Sequence, residues 1–357
     1  MKKSHIRLEY LDSLRGLAAY IVVAGHFFPE GWIKNLPILN IVTDTKLAVA
    51  IFFVLSGVVL TNPKFNLKMN YTWLPIQLIA RFFRLIIPVF AVTIFVWLLY
   101  SFDLIYYGNL PSSYNYWEIY NLNYQNDVDL QRAIYFALIE AFFLYDPSTS
   151  LIPPAWTMRP ELFGSIAVLT YVWSLQKGFI RVYPAYLIIL SCILVFTYGY
   201  IPFIYYFGFF FLGSAIRHMH DSGMKEANNP VLMLFLTILI KTIFQTIGLD
   251  SFQLDFIFAS IIVYLLIQSK SFHNFMIRPR LIWLAKVSFP LYLLHVPIIS
   301  SFGLHTMNYF GQNNIDSSYG QFIIFLLLSI VLFFTSRLFL PFEKLGIKLS
   351  REIRKYS

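Results

Sequence analysis

Ten apolar segments divide this chain, at roughly residues 11–29, 46–61, 75–101, 156–175, 183–199, 201–216, 230–248, 252–268, 281–303 and 320–341. Several approach the ~20 residues an α-helix needs to cross a bilayer core. Of the 357 residues, 58% are hydrophobic and 13% charged, whereas a soluble domain carries about 25% charged residues. In lipid, backbone N–H and C=O groups must be satisfied within the segment, so segments of this kind are restricted to helices. The expected fold is an all-α polytopic integral membrane protein with about ten transmembrane helices. Residues 1–357 are expected to form one transmembrane domain with no fused soluble domain.

Orientation follows from the connections. With the N-terminus inside, seventeen Lys and Arg residues fall in inside connections and only Lys34 and Arg132 in outside ones. That asymmetry places both termini in the cytoplasm. One missed span would scramble the alternation, so the bias also supports the count of ten. The basic N-terminal residues Lys2, Lys3 and Arg7 precede a segment without a small-residue cleavage site, so that segment is read as a permanent span rather than a leader. The connection 102–155 is long, polar and aromatic, and lies outside; within it, 131–145 has a helical pattern that suits the outer membrane surface.

Composition excludes several classes. The net charge of +9 is spread over short connections, so a nucleic-acid partner is not expected; the lipid bilayer is. A single cysteine, Cys192, rules out an intrachain disulfide and a thiolate metal cluster, and no metal site is expected. There is no P-loop, no GxGxxG, no HExxH and no nucleophile elbow.

The first segment, LDSLRGLAAYIVVAGHFF, holds Arg15 and His26 as its only basic or acidic residues between Asp12 and Glu30. About eleven residues at about 100° each come to about 1100°, so the two share one face of a helix, about 16 Å apart along its axis. That puts a fixed cation near one surface and a proton-exchanging imidazole near mid-depth. Ionisable groups inside a membrane usually face a cavity or a partner. The plainer reading has Arg15 snorkelling and pairing with Asp12, and His26 packed and hydrogen-bonded.

Other candidates follow the same logic. Arg81 and Arg84 share a face at the cytoplasmic end of the third segment, where they either anchor it or clamp phosphates with their forked guanidinium groups. Glu161 lies just inside the outer end of the fourth segment, as a structural ion-pair member or as a carboxylate that orients a histidine or accepts a substrate hydroxyl. Thr157 shares its face. His295 lies in the ninth segment one turn from Tyr292, between Pro290 and Pro297, which should bend the helix. Ser56, beside Gly57, reads as a helix-contact residue rather than a catalyst. Lys241 is expected to pair with Asp255 as a structural ion pair.

In this order the pieces resemble the membrane acyltransferase-3 family, which includes bacterial O-antigen and exopolysaccharide O-acetyltransferases. The matching stretches are LDSLRGLAA…VVAGH with ten residues between Arg15 and His26, FFVLSG (52–57), ARFFRLIIP (80–88), PPAWTMRPE (153–161), FFFLG (209–213), VSFPLYLLHVP (287–297) and FEK with Glu343. They run through essentially the whole chain. Thr157 stands where the family's motif commonly has serine, and Lys344-Leu345 follows Glu343 where Arg-Pro is frequent.

The resemblance implies transfer of an acyl group, expected to be acetyl, from cytoplasmic acetyl-CoA or another acyl-CoA to a hydroxyl of a cell-surface glycan or lipid-linked saccharide, at the cell (inner or plasma) membrane. It implies that Arg15, Arg81 and Arg84 hold the donor, that His26 is the main catalytic residue and that Glu161 supports the site; His295 joins them as a catalytic candidate from its own position. The acceptor route is either direct attack or an acyl-histidine intermediate. A succinyl or longer donor, and a transporter or flippase for glycans, are the rival readings.

Overall fold

The computed structural model describes residues 9–28, 37–61, 70–112, 114, 128–180, 183–196, 204–223, 228–249, 251–315 and 317–356. Lys2, Lys3, Arg7, Lys34, Lys64, Lys68, Arg181 and Lys225, which entered the orientation argument, lie outside these residues, as does 115–127 of the long outer connection. Every regular element among the described residues is helical. In chain order the α-helices are α1 (Glu9–Phe27), α2 (Thr45–Leu60), α3 (Trp73–Ser101), α4 (Leu130–Tyr135), α5 (Met158–Gln176), α6 (Pro184–Phe196) and α7 (Tyr206–Asp221). They continue with α8 (Pro230–Thr246), α9 (Phe252–Gln268), α10 (Lys270–Met276), α11 (Pro279–Ile298), α12 (Leu304–Gln312) and α13 (Ser317–Ile353). Short 3₁₀ turns span Pro37–Thr43 and Pro153–Thr157, and π-helical stretches span Phe136–Leu144 and Ile299–Gly303.

Among the described residues, three helical runs are long and apolar enough to cross a membrane: Trp73–Ser101, Pro279–Gln312 and Tyr319–Tyr356. Phe252–Gln268 with Lys270–Met276, bent by 92°, makes a fourth if the pair is one broken span. The helices α2, α6 and α8 are apolar but shorter. The protein is therefore a helical membrane protein, with three to four of the expected spans identified by length and composition.

The chain divides into two compact units, one of residues 1–78, 160–288 and 356–357, the other of 79–159 and 289–355. The first is centred on α2, which packs against α1, α7 and α9. Its sequence, TKLAVAIFFVLSGVVL, is apolar all round, and nearly every side chain is buried, as such a pattern requires. Asp44 caps its N-terminus by accepting from the Leu47 amide at 2.9 Å. Gly57 on α2 and Gly213 on α7 let the two backbones meet: a methyl at Gly57 would overlap the Phe210 carbonyl, and one at Gly213 the backbone of Val54. Small residues at such crossings replace the hydrophobic drive that lipid does not provide. Thr61 Oγ1 donates to Ser214 Oγ at 2.8 Å across the same contact.

In the second unit, proline shapes the helices. α11 carries Pro290 and Pro297, and the π-helical stretch Ile299–Gly303 follows directly. A proline removes an amide donor, so carbonyls near it seek other partners. Ser301 Oγ donates to the Pro297 carbonyl at 2.8 Å, and the Tyr106 amide donates to the Ser300 carbonyl at 3.1 Å. The irregularity that accompanies the two prolines is this π-helical stretch, just after the second. α13 is the other departure from the sequence segments: 320–341 was expected, but the helix runs 37 residues to Ile353. At ~1.5 Å per residue it is about 55 Å long against a bilayer core of about 30 Å, so its basic final turns project beyond the apolar layer.

Candidate active site

In the first unit, α1 carries Arg15 in its second turn and His26 in its last. His26 is thus near the end of the helix, because α1 closes at Phe27. The uninterrupted helix keeps the two residues on one face, as the spacing requires. Arg15 pairs with Asp12 at 3.5 Å, its side chain 18% exposed, so the ion pair anticipated as the plainer reading is present. His26 is half-buried. Its Nδ1 lies 2.8 Å from the Val22 carbonyl oxygen. A carbonyl only accepts, so Nδ1–H is the donor, and Nε2 holds the lone pair of the neutral ring. The helix that carries His26 therefore fixes both its orientation and which nitrogen carries the lone pair of the neutral ring.

Glu161 occupies the first turn of α5, where the helix N-terminus favours negative charge. Ser56 Oγ on α2 donates to its Oε1 at 2.9 Å, and Ser165 Oγ donates to its backbone carbonyl at 2.5 Å. Ser56 was read from sequence only as a helix-contact residue. Its link to Glu161 joins residues 105 positions apart, and no local pattern announces it.

A second buried polar group in this unit surrounds Lys241. Its Nζ lies 2.6 Å from Asp255 Oδ1, as expected from sequence, and 3.4 Å from Asp44 Oδ2. Gln245 Nε2 donates to the same Asp44 oxygen at 2.5 Å. Sequence analysis had not singled out Asp44.

In the second unit, His295 is fully buried on α11. Its Nδ1 donates to the Tyr292 carbonyl at 2.6 Å, so by the same reasoning its Nε2 is the basic nitrogen of the neutral ring. Tyr292 Oη lies 3.1 Å from Thr157 Oγ1 and donates to the Pro154 carbonyl at 3.2 Å. Thr157 Oγ1 donates to Pro154 at 3.0 Å. The 3₁₀ turn of the PPAWT sequence is thereby pinned to α11, and Thr157 performs the hydroxyl role there. Arg81 is buried and Arg84 half-buried, at successive turns of α3. The backbone of Arg84 lies against Gly346 of α13, where a methyl would come within 3.2 Å of its carbonyl oxygen. Arg354, beyond α13, is half-buried, and its charge stands near that of Arg84. Sequence reading had not joined Arg354 to the arginine pair. Glu343 also lies on α13.

The structure thus gives Arg15, His26 and Glu161 defined partners in one unit and Arg81, Arg84 and His295 defined surroundings in the other. Among known proteins, the family model Acyl_transf_3, an acyltransferase domain, matches residues 8–339. No curated protein and no solved structure matches the chain. A match over nearly the whole length, on a helical membrane fold, settles the coarse identity: the chain belongs to the acyltransferase-3 family and is a membrane acyltransferase.

Proposed function

We propose that this protein transfers an acetyl group from cytoplasmic acetyl-CoA to a hydroxyl of a cell-surface or lipid-linked glycan, with His26 as the base. The observation that carries this reading is the fixed tautomer of His26 on the helix that also carries Arg15. Acetyl-CoA is a polyanion with a thin arm, and forked guanidinium groups suit its phosphates; Arg15, Arg81 and Arg84 are assigned to it. The acceptor O–H gives its proton to His26 Nε2 while its oxygen attacks the thioester carbonyl. The C–S bond breaks, and the CoA thiolate leaves as a thiol with the proton that His26 Nε2 took from the acceptor, which restores the neutral ring. Glu161 and His295 are assigned to the acceptor side. If Nε2 itself attacks the thioester, an acyl-histidine forms first and water-free transfer to the acceptor follows. The protein is assigned to the cytoplasmic membrane, with about ten spans and both termini in the cytoplasm.

The test is mass spectrometry of the host's surface glycans with the wild type, with no protein and with His26→Ala or His26→Gln. O-acetyl groups should depend on the protein and vanish in both variants at equal membrane abundance. Full O-acetylation with His26→Ala would overturn the assignment of His26. Radiolabelled acetyl retained on purified protein in the absence of acceptor selects the acyl-histidine route. Glycan translocation without acylation by the wild type would decide for a transporter.

A further inference from the structure

The charged group around Lys241 is costly to bury and has no part in the chemistry above. Lys241 and Asp255 are fully buried and Asp44 nearly so. One ammonium with one carboxylate would already be neutral. The third member, Asp44, brings a second negative charge into the same interior and so calls for a reason of its own. Its place supplies one. Asp44 sits at the junction of the 3₁₀ turn Pro37–Thr43 with α2, and one carboxylate serves three neighbours. Oδ1 accepts from the Leu47 amide and starts α2; Oδ2 receives Lys241 and Gln245 from α8. Asp255, from the first turn of α9, holds Lys241 from the other side.

What the junction touches is the last turn of α1. The backbone of Thr43 and the side chain of Thr45 lie so close to Gly25 that a methyl there would overlap both. Gly25 is the residue before His26. The 3₁₀ turn packs on α1 and on α8 as well. A continuous path therefore runs from Asp255 through Lys241 to Asp44, from Asp44 through its flanking residues to Gly25, and so to the backbone that carries the imidazole.

We infer that Lys241, Asp44 and Asp255 are positioning residues for His26: the buried charges clamp the junction before α2 against Gly25 and so hold the last turn of α1, and His26 with it, in one place. This rests on the reading of His26 as the base. The device suits a histidine near a helix end, where the helix's own hydrogen bonds are fewest and fraying is easiest. A residue whose reacting atom is displaced by about 1 Å loses up to about a hundredfold in rate, while binding of the donor elsewhere is untouched.

The test uses the full-length protein in nanodiscs for acetyl-CoA affinity, and cells for glycan O-acetyl content per folded molecule. Asp44→Asn retains the oxygen that caps α2, removes the charge and replaces the acceptor that faces Lys241 and Gln245 with an N–H donor, so the clamp is lost and the cap kept. Gly25→Ala leaves all charges and pushes the junction away. Both should lower O-acetylation by about tenfold to a hundredfold at unchanged acetyl-CoA affinity, and Lys241→Arg should retain more activity than Lys241→Met. If the group were only a fold staple, O-acetylation per folded molecule would stay at the wild-type level and only the amount of folded protein would fall; that result overturns the inference. His26→Ala is run in parallel. Activity retained there refutes the reading of His26 itself, whereas a dead His26→Ala beside fully active Asp44→Asn and Gly25→Ala refutes the positioning role alone.

Discussion

Ser56 donates a hydrogen bond to Glu161 across 2.9 Å, tying the middle of α2 to the first turn of α5. Ser56 is 4% exposed, so the bond is shielded and a carboxylate accepts it. Ser56→Ala should cost about 1–3 kcal/mol and lower the melting temperature in detergent. Glycan O-acetylation should fall with it, because Glu161 loses the donor that orients it. An unchanged melting temperature together with full O-acetylation would show that the bond matters to neither.

The crossing of α2 and α7 depends on two glycines. Gly57→Ala and Gly213→Ala each place a methyl into the facing backbone, so each should destabilise by about 1–3 kcal/mol or more. Gly303→Ala is the control: its new methyl meets Leu328 Cδ1 at 3.4 Å, an ordinary contact. Detergent melting curves of the three variants decide it, and equal curves would contradict the close crossing.

The arginines of the second unit are expected to bind the donor. Arg84→Lys keeps the charge and loses the fork, so acetyl-CoA affinity should fall by about 1.4 kcal/mol, roughly tenfold. Arg354, whose charge stands near that of Arg84, should contribute as well: an anion bound there relieves two like charges at once, so Arg354→Ala should weaken acetyl-CoA binding in the same direction. Calorimetric titration in nanodiscs reads both. Wild-type affinity in the variants Arg15→Ala, Arg81→Ala and Arg84→Ala would refute the donor assignment.

Topology is open to chemical labelling. In a Cys192→Ala background, cysteines placed within 62–74 should react only from the cytoplasm, and those within 112–126 only from outside. The outer connection should also touch lipid. Leu130, Ile134, Tyr135, Leu138, Ile139 and Leu144 of α4 and the π-helical stretch after it are exposed. Arg132 meanwhile donates both guanidinium nitrogens to Glu140 and one to the Thr149 carbonyl, so the segment presents an apolar face with its charges paired internally. A nitroxide at Leu138 should be relaxed by oxygen in the bilayer and not by a water-soluble nickel complex; the opposite pattern would place the segment in water.

The helical segments were legible because hydropathy alone selects helices in lipid, and α2, α3, α8 and α9 begin and end within a few residues of the expected limits. The extent of α13 was not, since its last turns leave the apolar layer and lose the hydropathy signal. Lys241 with Asp255 was legible because an intramembrane charge needs a counter-charge. Asp44 and Gln245 were not, since their places in the group depend on how the turn before α2 meets α8.

By itself the sequence determined a helical membrane protein, the shared face of Arg15 and His26, and the family to which the motifs belong. The first two depend on composition and on 3.6-residue periodicity, the third on resemblance of short motifs, and all of these are local. The tertiary structure alone decided that Ser56 serves Glu161, that Tyr292 and Thr157 hold the PPAWT turn, and that Asp44 joins Lys241 to the turn beside His26. Each of these brings together side chains far apart in the chain, and their pairing is set by which helices cross closely enough to touch, a property of the packed backbones and their glycines that no segment carries alone.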